Sequence, residues 1–324
     1  MLLTTLAAIV ALASPQSPAK EATKATGPVR LDGSSTVFLI SEAAAEEFKK
    51  VAPKVNVSVG MSGTGGGFKR FCAGEIDVTA ASRAIKPGEV ELARKNNIEF
   101  VELPVAFDGL SVVVNKANTW ATSLTVADLK RIYMDGGVKT WSELNPAWPN
   151  EAIQIFSPGT DSGTFDYFKE AVIGKDGKVR GDMSVSEDDN VLVRGILDNK
   201  NAIGFFGIAY LMENEGKLRG VAIDGGKGPV APSPETVEDG TYQPLGRPLF
   251  YYVNAASLTK PQVAAFVDYL VEKAPEFAPE VGYIKLPADL QSMVRANWVA
   301  RRTGTQFVGA DGKEVHGTFR SVYR

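Results

Sequence analysis

From Val29 onward, short runs rich in β-branched and aromatic residues alternate with stretches whose apolar residues recur at three- and four-residue spacing. "VNVSVG" (55–60), "EFVELPVAF" (99–107) and "LSVVVN" (110–115) predict strands, whereas "ISEAAAEEFKKV" and "GEVELARKNN" predict helices. Further on, "LTVADLKRIYMDG" predicts a helix capped at Thr125, with Asp128 at its third position, and "IQIFSPG" followed by "TFDYFKEAVIG" predicts a strand and a helix. The order is that of an α/β protein with helices over a mostly parallel sheet.

Two apolar runs, "DGLSVVVN" and "RPLFYYVN", bracket a segment of about 130 residues with its own alternation. They predict paired crossover strands between two α/β domains: a discontinuous first domain, 29–110 plus 251–324, and an inserted second domain, 111–250. After the second run, "LTKPQVAAFVDYLVEKA" predicts a helix capped at Thr259 that returns the chain to the first domain. The chain's 324 residues suffice for about two domains, since single cores tend to stop growing near ~150–250 residues.

Composition narrows the function classes. With 44% hydrophobic residues, 23% charged and a net charge of −3, this is an ordinary globular chain without the basic field that nucleic acid requires. Leu2 to Ala13 is largely apolar, ends in Ala-Leu-Ala and runs into a Pro-, Ser- and Lys-containing stretch. That predicts a signal peptide and linker over 1–28, cleaved near Ala13, and a periplasmic or secreted protein. The single cysteine, Cys72, allows no internal disulfide and no Cys-based zinc site, and its neighbours Phe71 and Ala73 predict a small buried residue.

Candidate chemistry gathers at three places. "DGSSTV", "GTGGG" and "GTDSG" each set small hydroxyl residues and glycines just ahead of a predicted helix. Such a start orients backbone N–H groups outward, glycine admits close approach, and the helix dipole favours negative charge. Each can be a plain cap; if the three converge, they form a site of uncharged donors for an oxyanion such as phosphate or sulfate. "ASRAI" puts Ser82 and Arg83 at the carboxyl end of the predicted strand "IDVTA", where α/β sheets bind ligands, and Arg83 reads either as a planar anion donor or as a surface charge. Asp161, inside "GTDSG", reads either as a cap or as an acceptor for a protonated oxyanion. No Gly-Lys-Ser/Thr phosphate loop, Gly-x-Ser-x-Gly elbow or His-Glu-x-x-His helix is present, and the one histidine, His316, stands in a polar segment.

At these residues the chain resembles the periplasmic phosphate-binding proteins of bacterial phosphate ABC transporters, within the two-domain solute-binding class. "DGSSTV", "GTGGGFKRF", "ASRAI", "PGTDSGTFDYF", "IGFFGIAY" and "GTYQPLGRPLFYYVN" follow one another in that family's order over nearly the whole mature chain. The resemblance implies a type II periplasmic-binding-protein fold with its ligand in the interdomain cleft, no cofactor and no enzymatic activity. Its partners would be inorganic phosphate and a membrane ABC permease, and it would act as a monomer. Carried over by position, Ser35, Thr36, Thr64, Gly65, Ser82 and Arg83 would line the first domain's side, and Asp161, Ser162, Gly163 and Thr164 the second's. The family's main branch has an aspartate where this chain has Arg83 and an arginine ahead of its Ser-Gly-Thr, so the resemblance implies that Arg83 and Asp161 exchange those charges across the cleft. The alternatives are an exported phosphatase and a receptor for sulfate or molybdate.

Overall fold

The computed structural model describes residues 24–324 apart from 161, 175 and 187. The leader expected over 1–28 therefore lies outside the described residues up to 23. Strand pairing begins at Gly27, opposite Val55.

The first part of the chain forms β1 (Gly27–Gly33), α1 (Ser35–Val51), β2 (Val55–Val59), α2 (Gly63–Cys72), β3 (Val78–Ala81), α3 (Pro87–Lys95) and the long β4 (Phe100–Asn115). Next come β5 (Ser123–Thr125), α4 (Val126–Tyr133), β6 (Gln154–Pro158), α5 (Gly163–Phe168), β7 (Ser184–Ser186), α6 (Asp189–Asp198), β8 (Ala202–Gly207), α7 (Ile208–Glu213), β9 (Leu218–Gly220), β10 (Ala222–Asp224), β11 (Pro229–Val230) and α8 (Pro234–Glu238). The chain returns through β12 (Gly246–Asn254), α9 (Pro261–Glu280), β13 (Ile284–Lys285), α10 (Ala288–Val299) and α11 (Phe319–Val322).

The main sheet runs β2-β1-β3-β12-β4-β8-β6-β7. Its flanks are parallel, as expected, but its centre is not: β12 is antiparallel to both β3 and β4, and β4 is antiparallel to β8. The crossover pair accounts for this, since one strand leaves the first half of the sheet and the other comes back. "EFVELPVAF" and "LSVVVN", expected as two strands, are one: β4 continues through Asp108 and Gly109, pairing with β12 before them and with β8 after them. A turn signal in sequence is overridden here because both flanking segments have ladder partners. Opposite Leu249 and Phe250 the register skips Val105, next to Pro104, whose missing N–H suits a bulge.

Local signals held where they did not depend on distant contacts. Thr125 Oγ1 accepts from Asp128 N at 3.0 Å, and Asp128 Oδ2 accepts from Thr125 N at 3.1 Å, the predicted capping box. Thr259, by contrast, does not cap α9: its hydroxyl donates to Ala256 O at 2.8 Å and closes the 3₁₀ turn Ala255–Thr259, leaving Pro261 to open the helix. Cys72 is fully buried, and burial pushes its thiol up to about 11.

β4 is buried along all but its last position, so the carboxylates it carries are costly. Glu102 is 4% exposed, accepts from the Thr305 hydroxyl and from Gln306 N at 3.2 Å, and is pushed up to about 7 from the usual 4.5, chiefly by burial. Between those values the native state holds a proton that the unfolded chain has lost, so stability falls as pH rises through that window, by about 3 kcal/mol at most. Thermal melts of wild type and Glu102→Gln from pH 4.5 to 7.5 should show the decline in wild type and a flatter profile in the variant; parallel profiles would count against a buried, elevated carboxyl.

Candidate functional site

The carboxyl ends of β1 and β3 face the start of α5, and the donor loops meet there. Ser34 N donates to Ala80 O at 2.9 Å, which ties the loop after β1 to β3. Thr36 is buried at the second position of α1, with half-buried Ser35 beside it. Thr64 Oγ1 lies 3.1 Å from Ser82 Oγ and accepts from Ser82 N at 3.2 Å, joining the start of α2 to the end of β3. A Cβ on Gly163 would lie 3.5 Å from Thr36 Cα, an ordinary contact distance, which places the start of α5 directly against the α1 loop.

The three helix starts are not alike. Neither Ser34 nor Ser62, the residues flanking α1 and α2, caps its helix with its side chain. At α5, Ser162 Oγ accepts from Thr164 N at 3.2 Å, so that amide is already bonded within the loop. The glycine run also divides by role. A Cβ on Gly67 would stand 2.5 Å from Thr79 Oγ1 and 2.7 Å from Gly33 Cα, so this glycine lets α2 pack on the sheet; one on Gly65 would meet nothing within 4 Å. Gly65, like Gly63 two residues earlier, has open space before it, as a ligand-facing position requires.

The guanidinium among these hydroxyls belongs to Arg247, which the sequence reading missed. It donates from Nη2 to Thr36 Oγ1 at 2.7 Å and from Nη1 to Ser82 Oγ at 3.1 Å. Behind it, Asp108 Oδ2 accepts from Nε at 3.2 Å and lies 3.1 Å from Nη2. The two residues are direct cross-strand partners, Arg247 on β12 opposite Asp108 on β4, and their side chains are 14% and 4% exposed. Burial pushes the Asp108 carboxyl up, against the pull of Arg247. The Tyr167 ring of α5 packs on the guanidinium, its centroid 3.3 Å from Cζ, while its hydroxyl donates to Pro244 O at 2.7 Å. Tyr283 donates to Thr36 O at 2.8 Å, and burial holds both phenols far above their usual range, so both stay neutral.

Arg83 is placed elsewhere. Its Nη1 and Nη2 donate to Glu89 Oε2 and Oε1 at 2.9 and 2.8 Å, Nη1 also donates to Ala84 O at 3.0 Å, and its Cζ lies 5.3 Å from the Phe68 centroid. Its charge serves the start of α3, where Glu89 also accepts from Lys86 N at 2.8 Å. In this arrangement the Arg83 guanidinium is engaged by Glu89 and Ala84, away from the Arg247 cluster. Asp161 lies outside the described residues. A charged residue at the foot of each crossover run, in "AFDG" and "LGRP", was the available signal for Asp108 and Arg247, but their pairing depends on a register that composition does not specify.

Among the described residues no group of three or more His, Cys, Asp and Glu side chains could hold a metal ion, and no helix is long and apolar enough to cross a membrane. His316 is exposed.

Two α/β sheet halves sharing a crossover pair, with hydroxyls and a buried guanidinium at the seam, are the arrangement of a solute-binding receptor. The chain belongs to the PBP superfamily, whose domain model matches residues 18–274. It is 48% identical over 305 residues to protein SphX of Synechococcus elongatus, covering 93% of this chain and 90% of that one. It is 38% identical over 265 residues to the phosphate-binding protein PstS of Staphylococcus haemolyticus, covering 81% and 82%. Among solved structures, a possible phosphate-binding protein from Planctomyces limnophilus superposes with a TM-score of 0.83 at 47% identity, covering 86% of this chain and 99% of that one. An ABC-type phosphate transport receptor from Vibrio cholerae gives 0.61 at 25% identity, covering 80% and 100%.

Removing one member of the Arg247–Asp108 pair leaves the other charge buried. Arg247→Leu should cost about 3–5 kcal/mol in urea unfolding, and adding Asp108→Asn should recover a large part of it. A loss of under about 1 kcal/mol for the single variant would show that the pair is not desolvated in solution.

Proposed function

We propose that this chain is an exported receptor that holds inorganic phosphate between two domains, 29–110 plus 251–324 and 111–250, and delivers it to a membrane ABC permease. The observation that carries the proposal is Arg247, a buried guanidinium bonded to Thr36 and Ser82 and backed by Asp108. The names of the relatives and structural neighbours point the same way. An oxyanion entering between the loops would accept from hydroxyls and amides of Ser35, Thr36, Thr64, Gly65 and Ser82 on one side and of Ser162, Gly163 and Thr164 on the other. Arg247, not Arg83, would supply the positive charge, in a planar form suited to two phosphate oxygens.

Selectivity follows from proton matching. HPO4²⁻ carries a proton that a buried carboxylate can accept, whereas sulfate near neutral pH has none, and an acceptor facing an acceptor costs on the order of 1–3 kcal/mol. Asp108, behind Arg247 at the seam, and Asp161, of the "GTDSG" stretch, are the carboxylates we assign to this role. β4 pairs with β12 in one half of the sheet and with β8 in the other, which supports closure by bending where it crosses between them. A phosphatase would need a nucleophile beside a base, or a metal cluster, and neither stands among the described site residues.

Calorimetry with phosphate, sulfate and molybdate tests the reading. Wild type should bind phosphate and reject sulfate; Thr36→Val and Ser162→Ala should each weaken phosphate by roughly tenfold while the protein stays folded. Asp108→Asn and Asp161→Asn should narrow the phosphate-to-sulfate ratio in whichever carries the acceptor. Preference for sulfate or molybdate would reassign the ligand, and turnover of p-nitrophenyl phosphate would revive the enzyme.

A further inference from the structure

Behind the two uncapped helix starts lies a single carboxylate that touches neither Arg247 nor the Thr36 and Ser82 hydroxyls bonded to it. Asp32, the last residue but one of β1, is 2% exposed. Its Oδ1 accepts from Gly33 N at 2.7 Å and from Ser62 N at 2.9 Å, and its Oδ2 is paired with Arg70 of α2. One carboxylate thus joins the turn entering α1, the turn entering α2 and the far end of α2. The backbone makes room for it: a Cβ on Gly60 would lie 2.8 Å from Asp32 Cγ, and Gly33, at φ +145°, would drive a Cβ to within 2.1 Å of Ala80 O. Burial alone would raise this carboxyl, but the bonds from Ser62, Gly33 and Arg70 outweigh it and hold the group below its ordinary value. The charge is therefore compensated from behind, by Arg70, so that it does not oppose an anion in front.

We infer that Asp32 is a positioning residue of the anion site: it sets the spacing between the Gly33–Thr36 and Ser62–Gly65 turns, so that their donors converge on one ion. The inference rests on the phosphate-receptor reading and adds a residue that would not touch the ligand. Donors held by a buried partner lose affinity when they drift by a fraction of an ångström, even though each donor is still present. A stitch that served folding alone would have no such effect.

The experiment compares two buried aspartates of the same half of the sheet. Asp77 is 5% exposed and accepts from Arg30 N at 2.9 Å, Ser257 Oγ at 2.7 Å and Lys260 Nζ at 2.7 Å, at the opposite end of β3 from Ser82. Phosphate titration calorimetry and thermal melts without phosphate are run on wild type, Asp32→Ala, Asp32→Asn and Asp77→Asn. Asp32→Ala should weaken phosphate by roughly tenfold or more, and Asp32→Asn, which keeps the shape and one acceptor oxygen, by less. Asp77→Asn should lower the melting temperature while leaving the affinity within twofold of wild type. If Asp32→Ala does not fold, Asp32→Asn against Asp77→Asn decides the matter alone. Affinity within twofold of wild type in the folded Asp32 variants, or an equal loss in Asp77→Asn, would overturn the positioning role and leave the receptor reading standing. A wild type that binds no phosphate would overturn both.

Discussion

A guanidinium and a carboxylate buried side by side in the middle of a sheet give up hydration that only close contact and further hydrogen bonds can offset. Arg247 and Asp108 meet that condition because they are register partners on β12 and β4, the strands that join the two halves of the molecule. The contact fixes where the guanidinium points, and other features follow from it. Thr36 and Ser82 are drawn to its free edge, and Tyr167 stacks on its face from the other half. A charge in this position is connected to both halves at once, so a change in their separation alters its surroundings.

The helix starts gathered around it differ in how they dispose of their N–H groups. The Ser34 and Ser62 side chains make no cap, whereas Ser162 bonds to Thr164 N. Amides left without an internal acceptor require one from outside, and an anion is a natural supplier. The glycines show the same division between structure and ligand: Gly67 is pressed between Thr79 and Gly33, whereas Gly63 and Gly65 look onto open space. A run of three glycines is thus explained in part by packing and in part by access.

How legible each feature was depended on how far away its partner lay. The Thr125–Asp128 box is readable because both residues lie within one turn, and Cys72 because its immediate neighbours are apolar. Thr259 has the right identity for a cap but is taken by the turn before the helix. Arg83 sits at the carboxyl end of a strand, where α/β sheets bind ligands, yet Glu89, six residues on, accepts from both of its amino groups. Local competition of this kind is not visible in strand position alone.

The order of strands and helices, the loops of small hydroxyl residues and the family itself were determined by the sequence, because periodicity, capping chemistry and loop composition act over a few residues. The tertiary structure decided which charge stands at the site. Arg247 and Asp108 are 139 residues apart, and only the antiparallel register of β12 on β4 makes them neighbours. The same register turned an expected parallel sheet antiparallel at its centre and fused two expected strands into one. Pairing over such distances is set by which edges find partners during folding, a property of the whole chain that no short stretch contains.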